Sequence, residues 1–566
     1  MRFLNFGSVE LAGSFSELQD SRLDLIARIE NFKSSFGDRF RFFEALVHNE
    51  NSTLHLLVQG LLSDGLAFCV GSYFKDFNYL LFREKKGGEC YFAIQHNNGI
   101  EGFYFPKRNL WIGSNFLFSK YKGIVSDKDF LNKLHYLSKI KSLSEPAKLV
   151  GFIEGASRPY HYFYDRLPSL HLLKKKYPYI PVYTLHSNFY IETDLFTRTV
   201  VTPNTINELD EAQGFLLQTF RFKKTNGADV AYSNFQVLTS GDGFAKRVDS
   251  IESDLRGKSV IWVGLCEEKR QWQGKIEEVK ALIKYCLEQL KSPVFIFDGM
   301  TCPTAANTKI FTENNCRKEV SVLKNILNDF RRIEYFDLIG KKAREKAELS
   351  LFVDLFFTSA LTDSVWPSLF GGAKGIVYSI QGADSHMHYH PLSFSLDHNY
   401  IYDIDNKDIA VSERGYQIES LPLRKKFKNM IEYVREVSDL TAIPFEKNCK
   451  VIKRLGNRVV IDIDANEDKD IPVYGCPLPI QVEAFNEGIE SKYEFKASAW
   501  HFPDLKISFL FEILSSDKKK VLTSYVLDAD ETKVVSLPVG ASFYLVTLKA
   551  RGSGELIYNG ICGNPP

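Results

Sequence analysis

Gly151-Phe-Ile-Glu-Gly-Ala-Ser-Arg-Pro-Tyr-His-Tyr-Phe-Tyr-Asp-Arg-Leu-Pro-Ser-Leu170 is the stretch on which the reading of this chain turns. With the two residues before it, Leu149-Val-Gly-Phe-Ile153 has the apolar run of a buried strand, and Gly155 marks a tight turn. Pro159 stands where a helix can begin, since its missing N–H costs nothing in a first turn. The pattern predicts a helix from Pro159 to about Lys175 and, after Tyr177-Pro, a strand at Ile180-Pro-Val-Tyr-Thr-Leu185. That is a βαβ unit.

His161 and Asp165 stand four apart in this helix and so share a face. An imidazole held by a carboxylate is kept in one tautomer and can accept a proton near neutral pH. A helix with one satisfied histidine and a surface carboxylate has the same spacing, so the pair alone leaves both readings open.

A second βαβ unit opens at Ser259-Val-Ile-Trp-Val-Gly-Leu265. Its helix carries Ile276, Val279, Ile283, Cys286, Leu287 and Leu290 at roughly 3.6-residue spacing, and the chain returns in Val294-Phe-Ile-Phe-Asp298. Strands are expected at Ile333 to Leu338, Phe352 to Phe357 and Gly375 to Ile380, with helices at Lys341 to Leu349 and Thr362 to Phe370. Two blocks of alternating strand and helix imply two doubly wound parallel sheets, with ligands at the carboxyl ends of the strands.

On either side the pattern is β. Before the first block come Leu54-His-Leu-Leu-Val-Gln59 and Glu89-Cys-Tyr-Phe-Ala-Ile-Gln95, with turns at Lys86-Gly-Gly and Asn97-Asn-Gly and one helix near Leu18 to Phe32. After residue 450 come Arg458-Val-Val-Ile-Asp-Ile463, Ile507 to Ile513, Val521 to Val526 and Phe543 to Leu548, read as a C-terminal β-sandwich. The expected organisation is therefore 1–145, a mainly β region; 146–255 and 256–445, two Rossmann-like domains; and 450–566, the sandwich. A chain of 566 residues is too long for one core, which agrees with several domains.

Lys plus Arg (71) against Asp plus Glu (70) leaves a net charge of +1, so no chain-wide field would attract nucleic acid. The nine cysteines include no Cys-x-x-Cys spacing, which argues for reduced thiols rather than a disulfide framework or zinc ribbon. The first residues lack the apolar run of a signal peptide, and no apolar run of roughly 18 residues occurs. A cytoplasmic protein without a transmembrane segment is expected, with peripheral membrane contact left open.

Several loops carry candidate ligand contacts. Lys269 and Arg270, in Gly264-Leu-Cys-Glu-Glu-Lys-Arg-Gln-Trp272, could hold a diphosphate or simply form a charged surface turn. Asp298 ends one strand, Thr358 and Ser359 end another, and Thr362 and Ser364 flank Asp363 at a helix start where free N–H groups favour phosphate. Asp363 adds opposing charge there, and plain capping is the competing account. Gln381-Gly-Ala-Asp-Ser-His-Met-His-Tyr-His390 fits no standard zinc signature, so Asp384, Ser385 and His386 are read as substrate contacts or as an ordinary loop. Arg158 beside the helix start could hold an anion or face solvent. No Walker-type run and no Gly-x-Ser-x-Gly elbow is present, which removes the main support for an NTPase or a hydrolase.

Arg158-Pro-Tyr-His-Tyr-Phe-Tyr-Asp-Arg-Leu-Pro-Ser-Leu170 resembles the His-(aromatic)-Phe-x-Asp-x-Leu-Pro-x-Leu element of the family 61 glycosyltransferases. The resemblance implies a GT-B fold of two Rossmann-like domains and an inverting, metal-independent sugar transfer of hexosyltransferase type. The co-substrate would be a nucleotide sugar, with no other cofactor, and the acceptor a glycan, a lipid-linked glycan or a protein. It further implies that His161 and Asp165 line an interdomain cleft on the acceptor side, residues 146–255, and that residues 256–445 hold the nucleotide sugar. The alternative is a non-catalytic carbohydrate-binding or scaffolding protein that keeps a transferase-like fold.

Overall fold

The computed structural model describes residues 2–5, 28–29, 32, 54–62, 65–75, 77–85, 89–96, 99–113, 128–139, 145–156, 158–185, 189–201, 214–219, 227–266, 271–360, 362–378, 393–396, 398–404, 415–438, 450–455, 458–472, 478–479, 492–501, 506–529 and 531–564. The protein is mixed α/β and is built on several sheets. Its contacts divide it into two compact units, Met1–Phe189 with Thr193–Asn226, and Tyr190–Glu192 with Gly227–Pro566.

The first unit contains a seven-stranded sheet in the order β1-β7-β6-β5-β4-β3-β2. Its strands are β1 (Arg2–Asn5), β2 (Leu57–Gln59), β3 (Leu66–Lys75), β4 (Phe77–Glu84), β5 (Cys90–His96), β6 (Gly99–Phe105) and β7 (Leu110–Gly113). Consecutive strands from β2 to β7 pair antiparallel, and only β1 joins in parallel, on β7. Helix α1 (Lys128–Lys139) buries Phe130, Leu134 and Leu137 among Tyr73, Tyr79, Phe92, Tyr104 and Trp111 on one face of this sheet.

The same unit holds a four-stranded parallel sheet, β10-β9-β8-β11, made of β8 (Lys148–Glu154), β9 (Val182–Leu185), β10 (Arg198–Val201) and β11 (Gly214–Gln218). The strands read at Leu149 to Ile153 and around Val182 lie in β8 and β9. Polar side chains of the seven-stranded sheet meet the backbone of β11. Asn78 Nδ2 donates to Leu216 O (3.0 Å), Gln95 Nε2 to Gln218 O (2.8 Å), and Ser72 Oγ accepts from Leu216 N (2.8 Å). These bonds satisfy buried groups that would otherwise carry a desolvation cost.

In the second unit, helices α3 (Gly227–Thr239) and α4 (Phe244–Leu255) precede a six-stranded sheet. Its order is β14-β13-β12-β15-β16-β17, with every pair parallel. The strands are β12 (Ser259–Gly264), β13 (Pro293–Asp298), β14 (Glu334–Asp337), β15 (Leu355–Ser359), β16 (Lys374–Tyr378) and β17 (Ser393–Ser395). Helix α5 (Lys275–Gln289) connects β12 to β13. Helices α6 (Thr308–Asn315) and α7 (Arg317–Asp329) lead to β14, and α8 (Ala343–Ser350) leads to β15. This is the strand order of a doubly wound sheet, and its direction reverses between β12 and β15.

Beyond a two-stranded ribbon, β18 (Ile401–Asp403) with β19 (Tyr416–Ile418), helix α9 (Ser420–Ser438) leads to an eight-stranded antiparallel network. It comprises β20 (Lys450–Leu455), β21 (Arg458–Pro472), β22 (Leu478–Pro479), β23 (Lys492–His501), β24 (Lys506–Ser515), β25 (Val521–Asp528), β26 (Thr532–Ser536) and β27 (Ala541–Asn564). The 24-residue β27 is its spine, pairing with β21, β22, β23 and β24 along its length. Among the described residues no helix is long and apolar enough to cross a membrane.

Candidate functional site

Chain geometry at the end of β8 follows from two special residues. Gly155 takes φ +135°, in the region that favours glycine, and turns the chain off the strand. Arg158 is extended and Pro159 opens an α-helical turn, Pro159–His161. The next residues, Tyr162–Arg166, form a π turn closed by Leu167 N–H on Tyr162 O, before α-helix resumes as α2 (Leu167–Lys176).

Pro168 accounts for the widened turn. It has no N–H for the carbonyl four residues back, and its ring would collide with that carbonyl in a regular α-helix. One extra residue in the turn removes the conflict, and such turns recur at functional sites. Residues four apart remain neighbours on one face of the helix through it.

His161 and Asp165 are such a pair. Nδ1 of His161 lies 2.8 Å from Asp165 Oδ2. A carboxylate only accepts, so Nδ1 carries the hydrogen, and Nε2 of the neutral ring is left with its lone pair. The Asp165 side chain is 9% exposed and that of His161 37%. The pair therefore joins a nearly buried carboxylate to an imidazole side chain that is more than a third exposed. Arg158 at the helix start is half-buried. Arg166, on the other side, is fully buried, donates to Thr219 O, and is pushed down to about 10 by burial.

Three side chains to which the sequence reading gave no role meet at this turn. Glu154, the last residue of β8, is buried and takes a two-pronged contact from Arg198 of β10, through Nε and through Nη2 (2.9 Å). Tyr162 donates its hydroxyl to Glu154 Oε1 over 2.5 Å, and Arg198 Nη2 lies 3.3 Å from the same hydroxyl oxygen. Burial, reinforced by the Glu154 charge, raises the Tyr162 phenol well above its usual range. The guanidinium also sits over the rings of Phe189 and Phe196 at 5.5 and 4.6 Å. Nothing in the local spacing marks Arg198, which arrives from the strand two places away in the sheet.

The carboxyl edge of the six-stranded sheet gathers a second polar cluster. Gly264 of β12 lies between Asp298 of β13 and Thr358 of β15, and a Cβ there would come within 3.1 Å of both Asp363 Oδ2 and Thr358 Cγ2. Asp298 is fully buried and pairs with Lys346 Nζ at 2.5 Å. The same ammonium donates to Gly299 O (2.8 Å) and Thr301 Oγ1 (3.1 Å). Burial raises the Asp298 carboxyl to about 7, although Lys346 pulls the other way. Asp363 is raised by burial too, opposed by Lys275 and by the hydroxyl of Ser359, which donates to Oδ2 over 2.8 Å.

Within the set of residues read from sequence as ligand contacts, Asp298, Thr358 and Ser364 have no exposed surface, whereas Ser359 and Thr362 are half-exposed. Lys269, Arg270, Asp384, Ser385 and His386 lie outside the described residues. After Ser364 comes a second π turn, Val365–Phe370, closed by Gly371 N–H on Trp366 O at 2.7 Å. It contains Pro367, and the parallel with the first is close: Pro-Ser-Leu occurs at 168–170 and again at 367–369. Each serine hydroxyl back-bonds four residues, Ser169 to Asp165 O (3.4 Å) and Ser368 to Ser364 O (2.5 Å). Among the described residues, no group of three or more His, Cys, Asp and Glu side chains is arranged to hold a metal ion.

No family model matches this chain, and no curated protein does. Among solved structures it is similar to the glycosyl transferase family 9 protein from Veillonella parvula, at 12% identity over 44% of this chain and 87% of that one, with a TM-score of 0.26. It is also similar to accessory secretory protein 1, 2 and 3 of Streptococcus pneumoniae, at 8% identity over 22% of this chain and 95% of that one, TM-score 0.18. A third likeness is to the glycosylation-associated Gap123 complex of Streptococcus agalactiae, at 12% identity over 22% of this chain and 42% of that one, TM-score 0.17. At such TM-scores these likenesses do not decide the function.

Proposed function

We propose that this protein is a glycosyltransferase with a GT-B-like pair of Rossmann-like domains, moving a sugar from a nucleotide-sugar donor to a hydroxyl of a glycan, lipid-linked or protein acceptor. The observation that carries the reading is the His161–Asp165 hydrogen bond at the carboxyl end of a parallel strand, with Nδ1 engaged and the imidazole side chain 37% exposed. A sugar hydroxyl is a poor nucleophile at neutral pH, and a fixed imidazole is suited to taking its proton.

In this mechanism Nε2 of His161 removes the acceptor proton as the oxygen bonds to the anomeric carbon of the donor. The bond to the nucleoside diphosphate breaks on the opposite face, its electron pair leaves with the phosphate, and the configuration inverts. Asp165 stabilises the imidazolium and keeps the ring from turning. Ser359 and Thr362 are proposed to meet the donor directly, with Asp298, Thr358 and Ser364 supporting them from within. Lys269 and Arg270 are proposed for the diphosphate, and Arg158, Asp384, Ser385 and His386 for the substrates. No step calls on a metal.

The deciding experiment incubates the protein with a panel of nucleotide sugars and acceptors and follows nucleotide release. Release that disappears in His161→Ala supports the proposal. Release at the parent rate in that variant excludes His161 as the base.

A second reading is favoured by the burial of Asp298, Thr358 and Ser364. A non-catalytic carbohydrate-binding or scaffolding protein could keep such a closed cluster for structure alone. It predicts thermal stabilisation by glycans, none by nucleotides, and no release.

A further inference from the structure

We infer that Glu154, Tyr162 and Arg198 are positioning residues that fix the rotation of the π turn, and with it the meeting of His161 and Asp165; the inference rests on the reading of His161 as base. Tyr162 follows His161 directly, so the direction of one side chain sets that of the other. Tyr162 is bound at its hydroxyl end by Glu154 Oε1, at 2.5 Å, and approached by Arg198 Nη2, at 3.3 Å. Arg198 cannot yield easily, because Glu154 engages two of its nitrogens and the rings of Phe189 and Phe196 lie against it. The Arg198 and Glu154 side chains are 4% and 0% exposed, so water cannot replace a lost bond without opening the core.

A wide turn needs such a clamp. Pro168, just beyond it, offers no N–H to the carbonyls of the turn. Among the described residues, Arg158 and Arg166 flank the dyad in the chain, and Glu154 and Arg198 pair with each other beside Tyr162. A reading in which the clamp supports only the fold predicts that its loss lowers stability while leaving the imidazole as it was.

The test follows the His161 ring in full-length protein carrying ¹⁵N-histidine, with the signal assigned by its loss in His161→Gln. In the parent, the ¹⁵N shifts should report hydrogen on Nδ1. In Tyr162→Phe, which keeps the ring and the ion pair, those shifts should move toward a mixture of tautomers. Glu154→Gln should do so further; if it does not fold, Tyr162→Phe decides alone. Leu173→Ala, a cavity variant on α2, should lower the melting temperature and leave the shifts in place. Unchanged His161 shifts in a folded Tyr162→Phe protein overturn the inference. In the transferase assay Tyr162→Phe should cut kcat about 10-fold or more with KM kept. If His161→Ala retains full turnover while the shifts still respond to Tyr162→Phe, the base reading has failed and the positioning has not.

Discussion

Asp165 Oδ2 accepts a hydrogen bond from His161 Nδ1 at 2.8 Å, and Asp165 lies in the π turn Tyr162–Arg166 that follows His161. Asp165→Asn keeps the size of the side chain but offers an amide that can donate to Nδ1, which would favour the opposite tautomer and block Nε2. On the proposed reading kcat falls by about 10²–10⁴-fold, the range of a general base's contribution, while donor KM changes little. Steady-state kinetics on parent and variant check it, and a variant with unaltered kcat would remove Asp165 from the mechanism.

Glycine is required at two positions that set up this turn. Gly155 has φ +135°, and any other L-residue there is strained, at a cost of about 1–3 kcal/mol. A Cβ on Gly151 would come within 2.5 Å of Tyr183 Cε2 and 2.8 Å of Leu216 Cδ2, from the two strands flanking β8, and overpacking of this kind costs about 1–3 kcal/mol. Urea unfolding of Gly155→Ala and Gly151→Ala should show lower midpoints with an unchanged slope.

Much of this site was legible in the chain because its signals are local. The apolar run at Leu149 to Ile153, the turn at Gly155 and the helix start at Pro159 each rest on residues a few positions apart, and the structure has β8 and the Pro159 turn there. Leu167-Pro168 within an otherwise helical run, echoed by Trp366-Pro367, was a signal for the π turns that the helix reading passed over. Arg198 could not be found this way, because its link to Glu154 crosses 44 positions of sequence and depends on strand order in the sheet. Burial of Asp298 and Thr358 was equally hidden. A polar residue at a strand's carboxyl end looks the same in sequence whether it meets a ligand or, like Asp298, a buried lysine.

His171 on α2 supplies an acid-sensitive element. Burial first, and Lys175 second, push its imidazole from 6.5 down to about 4. The unfolded chain then binds more protons than the folded one between those values, so stability is intact above about 6.5 and is lost as pH falls toward 4. His171→Leu should recover part of that loss. Calorimetry at pH 5 should place the variant above the parent by about 1–2 °C, with the difference narrowing or vanishing at pH 7.5.

The Asp298–Lys346 pair gives a prediction of opposite sign. Both side chains are 0% exposed, so Lys346→Met leaves a buried carboxyl without its cation, with Asp363 nearby, and breaking such a pair costs about 3–5 kcal/mol. Even with Lys346 in place, burial raises the Asp298 carboxyl from 3.8 to about 7, so the folded state holds that proton more tightly than the unfolded chain. Its stabilising contribution is therefore fully present below about 3.8 and is lost as pH rises through about 7. Removing the ammonium pushes the carboxyl further in the same direction and extends the loss to higher pH. The deficit of Lys346→Met relative to the parent should accordingly be larger at pH 8 than at pH 5. Asp298→Leu combined with Lys346→Met, which leaves neither charge behind, should recover stability at both. Urea midpoints for the three proteins at the two pH values check this, and a Lys346→Met deficit equal at pH 5 and pH 8 would show that Lys346 holds the fold through packing and not through the charge of Asp298.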